Sequence, residues 1–414
     1  MTAAASNIRH KRSKLLALFF FLAFAILTAL FLHLRFAAHH PRGPPLHDQG
    51  VPPFSQSVVN QAAENSEMAM KPASHLDLPS EVGARAAVFA FRSFTQPASA
   101  EPVELALYQD AALGTSSIKR VLIQIHGQGR EAGFTWKVAA QARAEAAKRY
   151  PGSLKVQDVL IVAPLFFNGY DKDLYRWSGK GSTGSLLVWK GNQWGDGEPN
   201  QYPHTQTTVS SFEALDALLR YYSDHSRFPN VESIVVSGHS LGGQMVHRYA
   251  VLSDLPVTSP VTVSFIVANP STLLYLDGDR PRHDPDSTSA KLVDGYNHYK
   301  YGLEGIADML GEYYRSLSVA GVGGQLLWER FALGRKVHYI NGDLDHGIGD
   351  ERPQAFAQGK DRMDRLKNYI KWASMPTRGG DFPALHTVEW AEGVQHEAKD
   401  ILKSEPGLHR AFLV

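Results

Sequence analysis

Ser240 stands in Gly238-His239-Ser240-Leu241-Gly242, a G-x-S-x-G spacing set between an apolar run and an amphipathic pattern. Ile234, Val235 and Val236 are β-branched residues in a short apolar run, as in a buried parallel strand, and Met245, Val246, Tyr249 and Ala250 follow at helical spacing. A strand that turns sharply into a helix strains the backbone at the serine and crowds its neighbours. Glycine is then required where a Cβ would collide, at Gly238 and Gly242. Such a turn exposes the serine Oγ at a helix N-terminus, where unpaired N–H groups and the helix dipole favour developing negative charge. Residue type and setting together are those of a nucleophile.

A serine hydroxyl is a weak nucleophile and needs a general base within hydrogen-bond reach, itself oriented by a carboxylate. For the acid, the predicted strand Val337–Ile340 runs into Asn341-Gly342-Asp343-Leu344-Asp345. Asp345, three residues beyond the glycine, is the preferred acid, with Asp343 as its alternative. For the base, the last predicted strand, Leu385–Trp390, leads into a loop that ends at His396. Among the 18 histidines, three others near the end are weaker candidates: His386 lies inside that strand, His346 beside the acid, and His409 close to a C-terminus expected to fray. Acyl transfer also develops an oxyanion that needs fixed donors. The backbone N–H of Leu241 is one. The other is expected from His126-Gly127-Gln128-Gly129, after the predicted strand Val121–Ile125, with Gln128 as the donor.

These residues require an alternating scaffold. Ala87–Phe91 and Val103–Tyr108 read as an opening antiparallel pair of strands, with the globular part beginning near Ala84. Then follow a helix over Phe134–Tyr150, a strand over Asp158–Pro164, a helix over Ser210–Ser223 with a capping box of Ser210 and Glu213, the Ser240 unit, a strand over Val261–Val267 and a helix over Arg362–Ala373. Alternation at this spacing implies a parallel sheet with helices on both faces. Two long segments, 167–208 and 270–329, interrupt the rhythm. At the carboxyl ends of strands such excursions wall the ligand crevice as a cap or lid, or else pack aromatic side chains for stability; the second is expected to be partly helical around Leu303–Val319.

Composition narrows the function classes. The net charge is +1, and no basic block with interleaved aromatics lies outside the extreme N-terminus, so nucleic-acid binding has little support. Zero cysteines exclude disulfides, thiolate metal sites and a cysteine nucleophile. Gly179 to Gly184 satisfies a dinucleotide-type glycine pattern without the strand and helix that should flank it. Asp343, Asp345, His346 and Asp350 lack a metal-ligand spacing, so neither cofactor nor metal is expected. Near the N-terminus, Arg9, Lys11, Arg12 and Lys14 precede Leu15–Leu32, an 18-residue run whose only polar member is Thr28. Residues 1–14 thus read as a cytoplasmic basic tail and 15–36 as a transmembrane signal anchor. The catalytic part would then lie on the lumenal or extracellular side. A cleaved signal peptide is the alternative, with Phe36-Ala37-Ala38 as its small-residue end. Residues 37–83, rich in Pro, Ser, Gln and Ala, read as a disordered tether, and 84–414 as the globular domain.

In chain order, His126-Gly127, Gly238 to Gly242, Asp345 and His396 resemble the α/β-hydrolase superfamily from about residue 84 to the end. GHSLGGQ, Ala268-Asn269-Pro270-Ser271 and Tyr296 to Gly305 are similar to a largely uncharacterised branch found in fungi and bacteria. The resemblance implies an α/β-hydrolase fold with an eight-stranded, mostly parallel sheet and a Ser-His-Asp triad. The expected function is a membrane-anchored serine hydrolase that cleaves a carboxylic ester, with a small-molecule or lipid-like acyl substrate. An amidase or peptidase with the same triad, a lyase on this fold, and a non-catalytic binding module are the alternatives.

Overall fold

The structure, a computed structural model, describes residues 68–97, 99–175, 183–204, 208–253, 260–281, 290–316 and 323–413. The apolar run at 15–36, Trp177 and most of the glycine pattern at 179–184 lie outside the described residues. Among those described, no helix is long and apolar enough to cross a membrane.

The described residues form eleven strands. They are β1 (Ala69–Pro72), β2 (Ala84–Phe91), β3 (Val103–Asp110), β4 (Arg120–Ile125), β5 (Val159–Leu165), β6 (Phe167–Asn168), β7 (Val188–Trp189), β8 (Ser233–His239), β9 (Thr262–Ala268), β10 (Lys336–Gly342) and β11 (His386–Ala391). Nine of them make one sheet, in the order β1-β2-β3-β5-β4-β8-β9-β10-β11. The pairs within β1-β2-β3-β5 are antiparallel and those from β5 through β11 parallel. This crossover order with a strand-to-helix elbow at its centre is that of an α/β-hydrolase-like fold. The central strands are runs of Val, Ile and Leu because both of their faces are covered. Seven helices matter here: α1 (Ala132–Arg149), α2 (Ser211–Ser223), α3 (Leu241–Leu252), α4 (Gly324–Gly334), α5 (Arg362–Ala373), α6 (Ala398–Lys403) and α7 (Glu405–Phe412). Phe212, Met245, Phe331 and Trp372 bury α2 through α5 against one face. Ala139, Ile401 and Leu408 bury α1, α6 and α7 against the other.

Several expectations need correction. The sheet has nine strands and not eight, and one of them lies before residue 84. β1 comes from the stretch assigned to the tether and pairs Ala69 with Ala90 through Pro72 with Ala87. Its four residues, AMKP, are half-buried or exposed; an edge strand held by backbone hydrogen bonds leaves no apolar periodicity to detect. The C-terminus does not fray as expected: α7 is capped by Ser404, whose Oγ accepts from Gly407 N at 3.2 Å, and it buries Leu408, Ala411 and Phe412. The partly helical character expected around Leu303–Val319 takes the form of two short helices, Ile306–Met309 and Glu312–Ser316, and residues 317–319 lie outside the described set. Gly311 between them sits against Ser210, where a Cβ would come within 3.0 Å of the Ser210 backbone nitrogen.

The parallel register aligns the ends that matter. Ile125 of β4 lies beside Gly238 of β8, His239 beside Ala268 of β9, Ala268 beside Ile340 of β10, and Gly342 beside Ala391 of β11. The loops that carry Gln128, Ser240, Asp345 and His396 therefore leave one edge of the sheet.

Candidate active site

Ser240 connects β8 to α3 with φ 60° and ψ −119°, a region that costs an L-residue of order 1–3 kcal/mol and persists only when the surroundings impose it. They do so by close approach. A Cβ on Gly238 would strike the Gly242 carbonyl group, and one on Gly242 would stand 2.5 Å from the His126 carbonyl oxygen and 2.8 Å from that of Ile125. Ser240 N donates to Ala268 O at 3.0 Å, fastening the turn to β9. Since the obstructing atoms are backbone, Gly242→Ala is expected to destabilise the protein by about 2–3 kcal/mol. Its denaturant midpoint checks this; an unchanged midpoint would mean that the elbow does not depend on that contact.

His396, half-buried in the loop after β11, brings Nε2 to 3.0 Å from Ser240 Oγ and Nδ1 to 2.7 Å from Asp345 Oδ2. Asp345 is 2% exposed. Burial raises its carboxyl, but the hydrogen bond and charge of His396, with Arg362 behind it, hold it below the usual carboxylate range. An ionised Asp345 fixes the proton of His396 on Nδ1 and leaves Nε2 as the acceptor facing the serine. Asp343 is placed differently: its Oδ1 accepts Gly393 N at 2.8 Å, so it holds the loop that carries His396. The loops after β10 and β11 are further joined by Asp343 N to Ala391 O and Leu344 N to Val394 O, each 3.1 Å. The other histidines lie elsewhere. His386 Nε2 meets Phe331 O at 3.1 Å, and His346 faces Asp361 at 3.5 Å. His409 is on α7.

On the oxyanion side, Leu241 is the first residue of α3, so its N–H has no carbonyl one turn earlier in that helix. Gln128 and Leu241 line the same cleft as Ser240. The turn at Gln128 is held by His126, whose Nδ1–H donates to Gly127 O at 2.8 Å while its Nε2 accepts Phe166 N at 3.1 Å. Burial pushes this imidazole down to about 4, so it stays neutral and keeps that tautomer. Because a trans peptide points its C=O and N–H oppositely, anchoring Gly127 O toward the ring turns the Gln128 N–H away from it.

Several supporting residues were given no role by the sequence. Arg130, with φ 58°, donates to Gln128 O at 2.7 Å and to Asp171 Oδ2 at 2.8 Å. Arg362, at the start of α5, donates to Asp345 Oδ1 at 3.1 Å and to Ser271 Oγ at 3.2 Å. Asn269 accepts Gly342 N at 2.9 Å and donates to Gln395 O at 3.1 Å, tying the end of β9 to both catalytic loops. His239 packs its ring 4.4 Å from that of His396, centroid to centroid. Burial and then the His396 charge push it down to about 3, so a neutral ring lies beside the base. Apart from the bond from Arg130 to Gln128 O, these pairings span from 17 to more than a hundred residues, which is why no local pattern announces them.

The cleft above Ser240 has a volume of about 710 Å³. Asn192, Glu198, Tyr299 and Met309 line it, so both long segments contribute walls. The same segments also bury Trp189 and Trp194 completely. Among the described residues no group of His, Asp or Glu is placed to hold a metal ion.

No family model matches the chain, and no curated protein matches it. Solved structures similar to it include poly(aspartic acid) hydrolase-1 from Sphingomonas sp. KT-1, at 17% identity and TM-score 0.47 over 76% of this chain and 95% of that one. LpqC, a poly(3-hydroxybutyrate) depolymerase from Bordetella parapertussis, is 18% identical at TM-score 0.44, over 76% and 86%. An S-formylglutathione hydrolase from Agrobacterium tumefaciens is 11% identical at TM-score 0.43, over 81% and 99%. At these values the likeness is distant.

Proposed function

We propose that the protein is a serine hydrolase that cleaves a carboxylic ester through an acyl-enzyme on Ser240. The observation that carries this is the unbroken relay from Asp345 through His396 to a serine Oγ that opens onto a cleft. His396 Nε2 takes the Ser240 proton as Oγ attacks the ester carbonyl carbon. The N–H groups of Leu241 and Gln128 receive the oxyanion, each donor of this kind being worth about 10²–10³ in kcat. The ester C–O bond breaks, His396 protonates the departing alkoxide, and Ser240 keeps the acyl group. Water, deprotonated by His396, then releases the acid and restores the serine. A binding module needs no such relay.

Labelling with a fluorophosphonate tests the proposal, since an activated serine displaces fluoride from the probe and becomes phosphonylated. The folded wild-type protein should label and Ser240→Ala should not. Wild-type protein that is folded yet unlabelled would overturn the proposal in favour of a binding module.

We also propose that residues 15–36 anchor the chain in a membrane with the N-terminus cytoplasmic, on the strength of the apolar run and the four preceding basic residues. In sealed membranes, protease added from the cytoplasmic side should spare the catalytic domain; its digestion would reverse the orientation.

A further inference from the structure

The walls of the cleft say what kind of ester enters it. Among the described lining residues the aliphatic side chains are Leu241 and Met309. The charged ones are largely compensated within the protein. Asp196 meets Lys300 Nζ at 2.9 Å and Arg248 Nη1 at 3.0 Å, Asp350 meets Arg352 Nη2 at 2.7 Å, and Arg362 meets Asp345 Oδ1 at 3.1 Å. Beside these pairs stand the neutral amides of Gln128, Asn192 and Gln193. The remaining carboxyls are Glu351 at the exposed side and Glu198, which is 8% exposed. Burial, and then the Asp196 charge, push Glu198 up to about 7, so near neutral pH it both donates and accepts hydrogen bonds.

Three ligand chemistries can be compared against this lining. A long alkyl chain would strip water from amides and ion pairs without replacing their hydrogen bonds, at a cost of about 1–3 kcal/mol for each group left unsatisfied. A strongly ionic ligand finds its would-be partners already paired at 2.7–3.1 Å. A hydroxyl group is uncharged, donates once and accepts twice, and so can satisfy amide and carboxyl neighbours together. A site of about 710 Å³ lies within the range of about 300–1,000 Å³ usual for small-molecule sites.

Building on the serine-hydrolase proposal, we infer that the substrate is an ester of a hydroxyl-rich, sugar-like polyol, bound by Glu198 and the amides of Asn192 and Gln193, and not a long-chain lipid. The bond broken joins the acyl carbon to one polyol oxygen. The free polyol leaves with the proton from His396, and the acid follows on hydrolysis of the Ser240 ester.

The test uses the full-length protein with para-nitrophenyl acetate as a reactive control. The monoacetates of methyl glucoside and of glycerol are compared with ethyl acetate and with para-nitrophenyl palmitate. The polyol esters should exceed ethyl acetate in kcat/KM by about a hundredfold or more, because hydrogen-bonding sites discriminate strongly against analogues that lack the hydroxyls. Glu198→Ala should raise KM for the glucoside ester by about tenfold, with a smaller change in kcat, and Glu198→Gln should restore most of the loss, as expected for hydrogen bonds made on binding. Hydrolysis of para-nitrophenyl acetate with no preference for the polyol esters, a preference for the palmitate, or an unchanged KM in Glu198→Ala would each overturn the inference while the hydrolase proposal stands. Failure of both para-nitrophenyl acetate hydrolysis and fluorophosphonate labelling would overturn the two together.

Discussion

Ser240→Ala should lower kcat on para-nitrophenyl acetate by about 10⁶-fold, because loss of the nucleophile removes the whole relay at once. The variant should still fold, since alanine keeps the Cβ and the same backbone demand at φ 60°. Ser240→Gly separates chemistry from strain. Glycine adopts positive φ without steric cost, so this variant should be as inactive as Ser240→Ala and yet unfold at higher denaturant, by about 1 kcal/mol after allowing for the entropy of its unfolded chain. The pair of measurements is kcat and the denaturant midpoint. Appreciable activity in Ser240→Ala would remove this serine from the chemistry. A Ser240→Gly variant less stable than Ser240→Ala would show that the elbow is not under the strain its dihedral angles imply.

That strained turn was also the most legible part of the sequence. A β-branched run, two glycines at fixed offsets and a helical repeat are all local, so Ser240, Gly238 and Gly242 could be placed from adjacent residues. His396 and Asp345 were legible through position: each follows a late strand, and the parallel register of β10 with β11 draws their loops together. Between Asp345 and Asp343 the sequence allowed a preference and left the alternative open, because two residues of loop decide which carboxyl turns toward His396; that carboxyl is the preferred Asp345. The clamps were not legible. Arg362 reaches Asp345 and Ser271 from a helix whose repeat reports only its buried face, and Arg130 reaches Asp171 across 41 residues. β1 and α7 escaped for a different reason. A four-residue edge strand depends on its neighbour's backbone, and α7 depends on the surface offered by α1 and β11. The polar character of the cleft was hidden as well: Glu198 and Lys300 lie in the two long segments, whose aromatics announce a crevice wall or packing but not which side chains face the cleft, and Trp189 and Trp194 are fully buried.

Asp345→Asn should lower kcat by about 10⁴-fold with little change in stability, and Asp343→Asn by less than about tenfold. The geometry gives the two aspartates different work. An amide at position 345 can turn its NH₂ toward His396 Nδ1, which then accepts; the ring proton moves to Nε2 and faces Ser240 Oγ, where the base should have a lone pair. The imidazolium formed during attack also loses its ionic partner at 2.7 Å. At position 343 the requirement is an acceptor for Gly393 N, and an asparagine Oδ1 supplies it as the carboxylate does at 2.8 Å. Asp343→Ala removes the acceptor, and the loop carrying His396 then rests on the bonds from Asn269 to Gln395 O and from Leu344 to Val394 O. Its activity should therefore fall between the two asparagine variants. Equal losses in Asp343→Asn and Asp345→Asn would deny Asp345 its separate role, whereas the expected order, Asp345→Asn lowest, follows from one carboxylate orienting the base and the other holding its loop.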